Sequence, residues 1–146
     1  MGELKIASAP EVLETVGVGS CVVVIIYDPV TRTGGMVHAI LPSKPATASD
    51  DGGFRYVDTS ITALIHDLIG TGARRDRLVA KIAGGAHMFS LFGDAEHGIG
   101  AQNIAKAREL LHEQGITLTA EETGGSVGRS VRFDLASGIC SIETHM

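Results

Sequence analysis

The sequence has little of what marks several protein classes. It holds only two cysteines, Cys21 and Cys140, too few for a disulfide framework, and reduced thiols in a cytoplasmic protein are expected. Its longest apolar run, Val22 to Tyr27, is far too short to span a bilayer, so no membrane insertion is expected. The opening stretch "MGELKIASAP" carries Glu3 and Lys5 where a signal peptide needs an apolar core. Ile6 stands where an N-myristoylation motif needs Ser or Thr. With 12 Lys and Arg against 17 Asp and Glu, the net charge is -5, and no basic stripe offers a surface to nucleic acid. Neither CxxC nor HExxH occurs, and His87 and His97 stand apart in a loop, so no metal and no cofactor are expected. Aromatics are scarce and tryptophan is absent; internal repeats and low-complexity tracts are missing too.

What is present describes one globular domain over residues 1–146. Apolar residues make up 44% of the 146 and charged ones 20%. The 19 glycines point to tight turns or to places where backbone must come close. Cys21 to Asp28 is β-branched and without helical period, which predicts a strand. Asp28 to Gly35 reads as a turn and Met36 to Pro42 as a second strand, together a hairpin. Ser43 to Arg55 is a long polar loop. Ile61, Leu64, Ile65, Leu68 and Ile69 recur at helical spacing, with Asp58 or Thr59 as cap and Gly70 and Gly72 as stop. Arg77 to Gly85 is a short strand running into glycines, followed by a loop through Gly98. A second helix covers Ile99 to Gln114, ended by Gly115. Strands near Ile116–Glu121, Arg129–Asp134 and Gly138–Glu143 complete a mixed α/β chain whose hairpins imply a partly antiparallel sheet system.

One pair on the hairpin carries chemistry. If residue 38 pairs with residue 23, Cys21 and His38 share a face as diagonal neighbours, with Cβ atoms ~7–8 Å apart. A slip by one residue separates them, and Gly34-Gly35 could host a bulge. Together, an imidazole can take the thiol proton, leave a nucleophilic thiolate, and later protonate a departing amine. Gly17, Gly19 and Ser20 give a flexible backbone before Cys21, and N–H groups there could hold an oxyanion. Apart, Cys21 is a small hydrophobe opening a buried strand and His38 a hydrogen-bonded strand residue. Cys140 reads as core filling. "GGAHMF" from Gly84 to Phe89 matches no phosphate-loop pattern and reads as a loop packed close to another backbone.

The stretch "TVGVGSCVVVIIYDPVTRTGGMVHAILP", Thr15 to Pro42, resembles the signature of the chemoreceptor glutamine deamidases, the CheD family. Its Thr, Gly-Ser-Cys, apolar strand, Asp, Gly-Gly-Met and His-Ala-x-Leu-Pro follow in order. "RYVDTSITALI", "AKIAGGAHMF", "IGAQNIAKARELL" and "AEETGGSVGRSVRFDLASG" resemble later family motifs, so the likeness covers nearly the whole chain. Ala83, where an aromatic is common, and His87, where Asn is common, depart from the pattern. The resemblance implies layered β-sheets, largely antiparallel or mixed, with two main helices on an outer face, similar to the catalytic domain of cytotoxic necrotizing factors. It implies Cys21 as nucleophile, His38 as base and Thr15 as the group that places the histidine, through its hydroxyl or its carbonyl. It implies hydrolysis of selected glutamine amides on methyl-accepting chemotaxis proteins, with Gly19 and Ser20 as backbone support and without a cofactor. A CheC-type phosphatase is the implied partner, and an adaptor that only tunes that phosphatase is the alternative function.

Overall fold

The computed structural model describes residues 2–48, 53–88 and 98–145. Their elements are β1 (Leu4–Ser8), β2 (Val12–Val18), β3 (Val22–Asp28), β4 (Thr33–Ala39), α1 (Val57–Gly70), β5 (Val79–Gly84), α2 (Ile99–Glu113), β6 (Thr117–Thr123), β7 (Gly128–Asp134) and β8 (Ile139–His145). A five-stranded sheet runs in the order β1-β4-β3-β5-β6, and a three-stranded sheet in the order β2-β7-β8. All neighbours are antiparallel except β5 and β6, which run parallel with α2 between them in sequence. A parallel pair needs a long crossover, and the helix provides it.

β3 lies at the centre and is buried on both faces. Its Val22, Val24 and Ile26 pack with Ile61, Leu64 and Leu68 of α1 and Leu111 of α2. Its Val23 and Ile25 pack the other way, with Val131 and Phe133 of β7. The layers are therefore helices, the five-stranded sheet, then the three-stranded sheet. Burial on both faces is why β3 reads as an unbroken apolar run rather than an alternating one. The layered α/β architecture with both helices on one outer face agrees with the expectation.

The hairpin register is regular from Val22↔Ala39 through Val23↔His38 to Asp28↔Thr33. Gly34 and Gly35 make no bulge, and β4 begins earlier and ends sooner than the span expected from sequence. The glycines are there for packing: a Cβ on Gly35 would lie 2.4 Å from Leu64 Cδ1. They let α1 rest directly on the strand.

Two strands went unread in the sequence. β1 and β2 are short, polar at alternate positions and joined across Pro10, so neither shows a long apolar signal. α1 begins at Val57, before either expected cap. Its first N–H groups are satisfied by main chain instead: Val57 N–H donates to Leu41 O at 2.8 Å and Asp58 N–H to Pro42 O at 3.2 Å. The terminator of α2 is as expected, with Gly115 at φ 71°. Residues 49–52 of the expected polar loop and 89–97 of the loop before α2, with His97, lie outside the described residues.

Candidate active site

Three short segments meet where the two sheets face each other. The first is the end of β2. It pairs with β7 as far as Thr15↔Val131, then resumes at Val18↔Arg129, so one extra residue sits on β2 between them. Gly17 turns this bulge at φ 70°. A bulge re-aims the side chains beside it. Here Thr15 Oγ1 lies 2.9 Å from His38 Nδ1. The contact is made by the hydroxyl.

The second segment is β4. His38 is only 2% exposed and lies on the inter-sheet face with Met36. Its Nε2 is buried and has no hydrogen-bond partner among the described residues. Burial lowers its pKa from 6.5 to about 4, against a weaker upward pull from Glu3, so the ring is neutral at pH 7. A neutral imidazole with one nitrogen held and the other unpaired is arranged as a base.

The third segment leads into β3. Cys21 is 6% exposed and directly precedes Val22. Val23 pairs with His38, so the strand alternation carried back to residue 21 puts Cys21 on the histidine's face. Burial pushes its thiol above the ordinary value, and its own backbone N–H pulls the other way. Three successive carbonyls here are tied down. Gly19 O accepts from Ala86 N–H at 2.9 Å, and Cys21 O from Gly85 N–H at 2.7 Å. Ser20 O accepts from Asn103 Nδ2 at 2.9 Å. Across a trans peptide, carbonyl and amide point in opposite directions. The N–H groups of Ser20 and Cys21 therefore face away from these partners.

The glycine corner after β5 supports this segment. Gly84 has φ 106°, and a Cβ there would lie 2.4 Å from Cys21 O. Arg129, buried at 5% exposure, donates from Nη1 to Gly84 O at 3.3 Å and from Nη2 to Gly124 O at 3.0 Å. Its Nε meets Glu122 at 3.2 Å, which balances the buried charge. Gly84 and Gly85 thus pack against backbone, as the sequence suggested for that loop.

Openings flank the site on both sides. One, about 250 Å³, is lined by Thr15, Val16 and His38 with Glu3, Lys5 and Glu14. The other, about 240 Å³, lies beside Ser20, Ala86, Met88 and Ile99. Cys140 sits elsewhere, on β8 opposite Phe133. Among the described residues no three His, Cys, Asp or Glu side chains gather as a metal site.

Asn103 and Arg129 were not singled out as site residues in the sequence. For Asn103 a signal existed: it interrupts the apolar stripe Gly100, Ile104, Ala107 and Leu111 of α2. For Arg129 only its place in a Gly-Gly-x-x-Gly-Arg motif stood out, which says nothing of burial.

Residues 40–144 match the family model described as CheD chemotactic sensory transduction. The chain belongs to the CheD family. That match begins after Thr15, Cys21 and His38, but alignments to CheD relatives span almost the whole chain. It is 42% identical to the probable chemoreceptor glutamine deamidase CheD 2 of Geobacter metallireducens, covering 98% of this chain and 90% of the relative. It is 44% identical to the probable chemoreceptor glutamine deamidase CheD of Moorella thermoacetica, covering 99% and 87%. An archaeal relative of the same printed name, from Thermococcus kodakarensis, is 38% identical over 94% of this chain and 86% of its own length.

Proposed function

We propose that this chain is a chemoreceptor glutamine deamidase working through Cys21, His38 and Thr15. One observation carries the reading. A buried histidine is held at Nδ1 by a threonine hydroxyl and left unpaired at Nε2, on the face that the hairpin register shares with the cysteine. The names of the CheD relatives supply the substrate class.

The resting pair is uncharged, because burial raises the thiol and lowers the imidazole. The proton therefore moves as the substrate is attacked. His38, with Nδ1–H donated to Thr15 Oγ1, takes the Cys21 proton at Nε2. The sulfur adds to the carboxamide carbon of a receptor glutamine. The outward N–H groups of Ser20 and Cys21, on the backbone between Gly19 and the nucleophile, stabilise the oxyanion. His38 then protonates the amine, ammonia leaves, and a thioester remains. Water adds to the thioester with His38 again as base, and glutamate and the free thiol result. The product gains a carboxylate, which changes repulsion between receptor helices.

The test is a receptor fragment incubated with the protein and read by peptide mass. Each modified glutamine should gain about 1 Da, the difference between an amide and an acid. Cys21→Ala should show no gain while remaining folded. Deamidation by Cys21→Ala at the wild-type rate sinks the reading. A wild-type protein that binds a CheC-type phosphatase but never changes the receptor mass would make it an adaptor instead.

A further inference from the structure

The β3–β4 ladder stops at Val22↔Ala39. The next rung would join Cys21 and Ile40, and the chains begin to separate there. Asn103 of α2 reaches into this gap. Its Nδ2 donates to Ser20 O at 2.9 Å and to Ile40 O at 2.9 Å. One amide thereby bridges the residue before the cysteine and the residue two beyond the histidine. Both partners are carbonyls, so only the nitrogen can face them.

The residue is fully buried, and its Oδ1 has no partner among the described residues. An orphaned acceptor is a cost that an apolar residue would avoid. Gly100, Ile104, Ala107 and Leu111 of the same helix are buried too, so a leucine at 103 would continue an apolar stripe. Asn103 is a poor choice for packing alone and a good one for fixing a distance.

We propose that Asn103 is a positioning residue that sets the spacing between Cys21 and His38 by closing the open end of the hairpin from α2. The proposal rests on the Cys21–His38 reading above. Without the bridge, the Ser20 and Ile40 ends drift apart and the thiol loses its alignment with Nε2. Small misplacements of reacting groups cost up to ~100-fold in rate.

The test compares Asn103→Leu with Leu111→Ala, a packing control elsewhere on the same helix, and reads two things. The first is turnover of a receptor fragment. Asn103→Leu should lower kcat ~10–100-fold with KM within about twofold, and should keep its Tm. Leu111→Ala should lower Tm and leave kcat unchanged at a temperature where it is folded. The second readout needs no substrate: the pH profile of Cys21 alkylation by iodoacetamide, followed on the Cys21 peptide. It should shift in Asn103→Leu and not in Leu111→Ala. Asn103→Ser, smaller and unable to span both carbonyls, serves if the leucine variant does not fold. A folded Asn103 variant with wild-type kcat and an unshifted profile overturns the proposal. An inactive wild-type protein whose Cys21 profile still depends on Asn103 overturns the deamidase reading and leaves the positioning role standing.

Discussion

The two ends of the β3–β4 hairpin bury polar side chains to the same depth and treat them in opposite ways. At the turn, Asp28 is fully buried. Its Oδ1 accepts from Val30 and Thr31 N–H at 2.9 and 3.4 Å. Its Oδ2 accepts from Arg74 N–H at 3.0 Å and from Arg77 Nε and Nη2 at 3.0 and 2.9 Å. Burial by itself would raise this carboxyl, but the Arg74 N–H, the Arg77 guanidinium and the turn amides outweigh it and bring the pKa to about 2. At the open end, His38 is 2% exposed and has Thr15 alone. Its second nitrogen is unpaired among the described residues, and nothing offsets the desolvation of its charged form enough to restore an ordinary pKa. The turn end saturates a charge and becomes rigid. The open end leaves a lone pair for a reaction.

Substitutions should separate the two ends. The largest effect belongs to the open end: His38→Gln should lower kcat for deamidation by ~10²–10⁴-fold, the usual worth of a positioned base. Its unfolding free energy at pH 7 should change little, because the lost group was neutral and had one bond. Undiminished turnover in this variant would erase the contrast. Next is the turn end. Asp28→Asn leaves the Arg77 guanidinium facing a neutral group and should cost ~3 kcal/mol in urea unfolding, with kcat of the folded fraction unchanged. If activity falls and stability holds, the ends have been assigned the wrong way round.

The smallest effect is in acid. An unfolded chain binds a proton on histidine near pH 6.5, whereas folded His38 resists until about 4. The unfolded state then binds more protons between those values, so stability falls as pH drops through that window. The loss should reach ~1 kcal/mol by pH 5.5. Asp28 acts lower: its contribution is complete above its ordinary 3.8 and is lost as pH falls through about 2. Urea midpoints at pH 7, 5.5 and 3 should show the first decline disappear in His38→Gln and persist in Asp28→Asn. An equal decline between pH 7 and 5.5 in wild type and His38→Gln would show that His38 does not hold its proton off as argued.

The parts legible in the sequence were those with strong periodic or local signals. The β-branched run of β3, the helical spacing of Ile61 to Leu68 and the Gly115 stop all gave their elements. Cys21 and His38 could be named as a pair, but their register could not be derived. It depends on whether Gly34-Gly35 bulges, and that is decided by Leu64 packing from a helix some thirty residues away. The hydroxyl contact of Thr15 was equally hidden, because the bulge at Gly17 that aims it exists only once β2 pairs with β7. Asn103 and Arg129 act through backbone carbonyls of other elements, a kind of contact that leaves no spacing rule in the chain.

Thr15 and His38 belong to different sheets, so their hydrogen bond is also a stitch between two layers of the molecule. A chain that has formed its central hairpin but not yet docked the three-stranded layer holds the thiol and the imidazole without the group that orients the ring. On the proposed mechanism such a chain is silent. Amide hydrolysis is irreversible damage when it falls on the wrong protein, and a nascent or heat-loosened copy would be poorly placed to inflict it. Catalysis switches on with the last act of assembly, which makes the enzyme its own quality control.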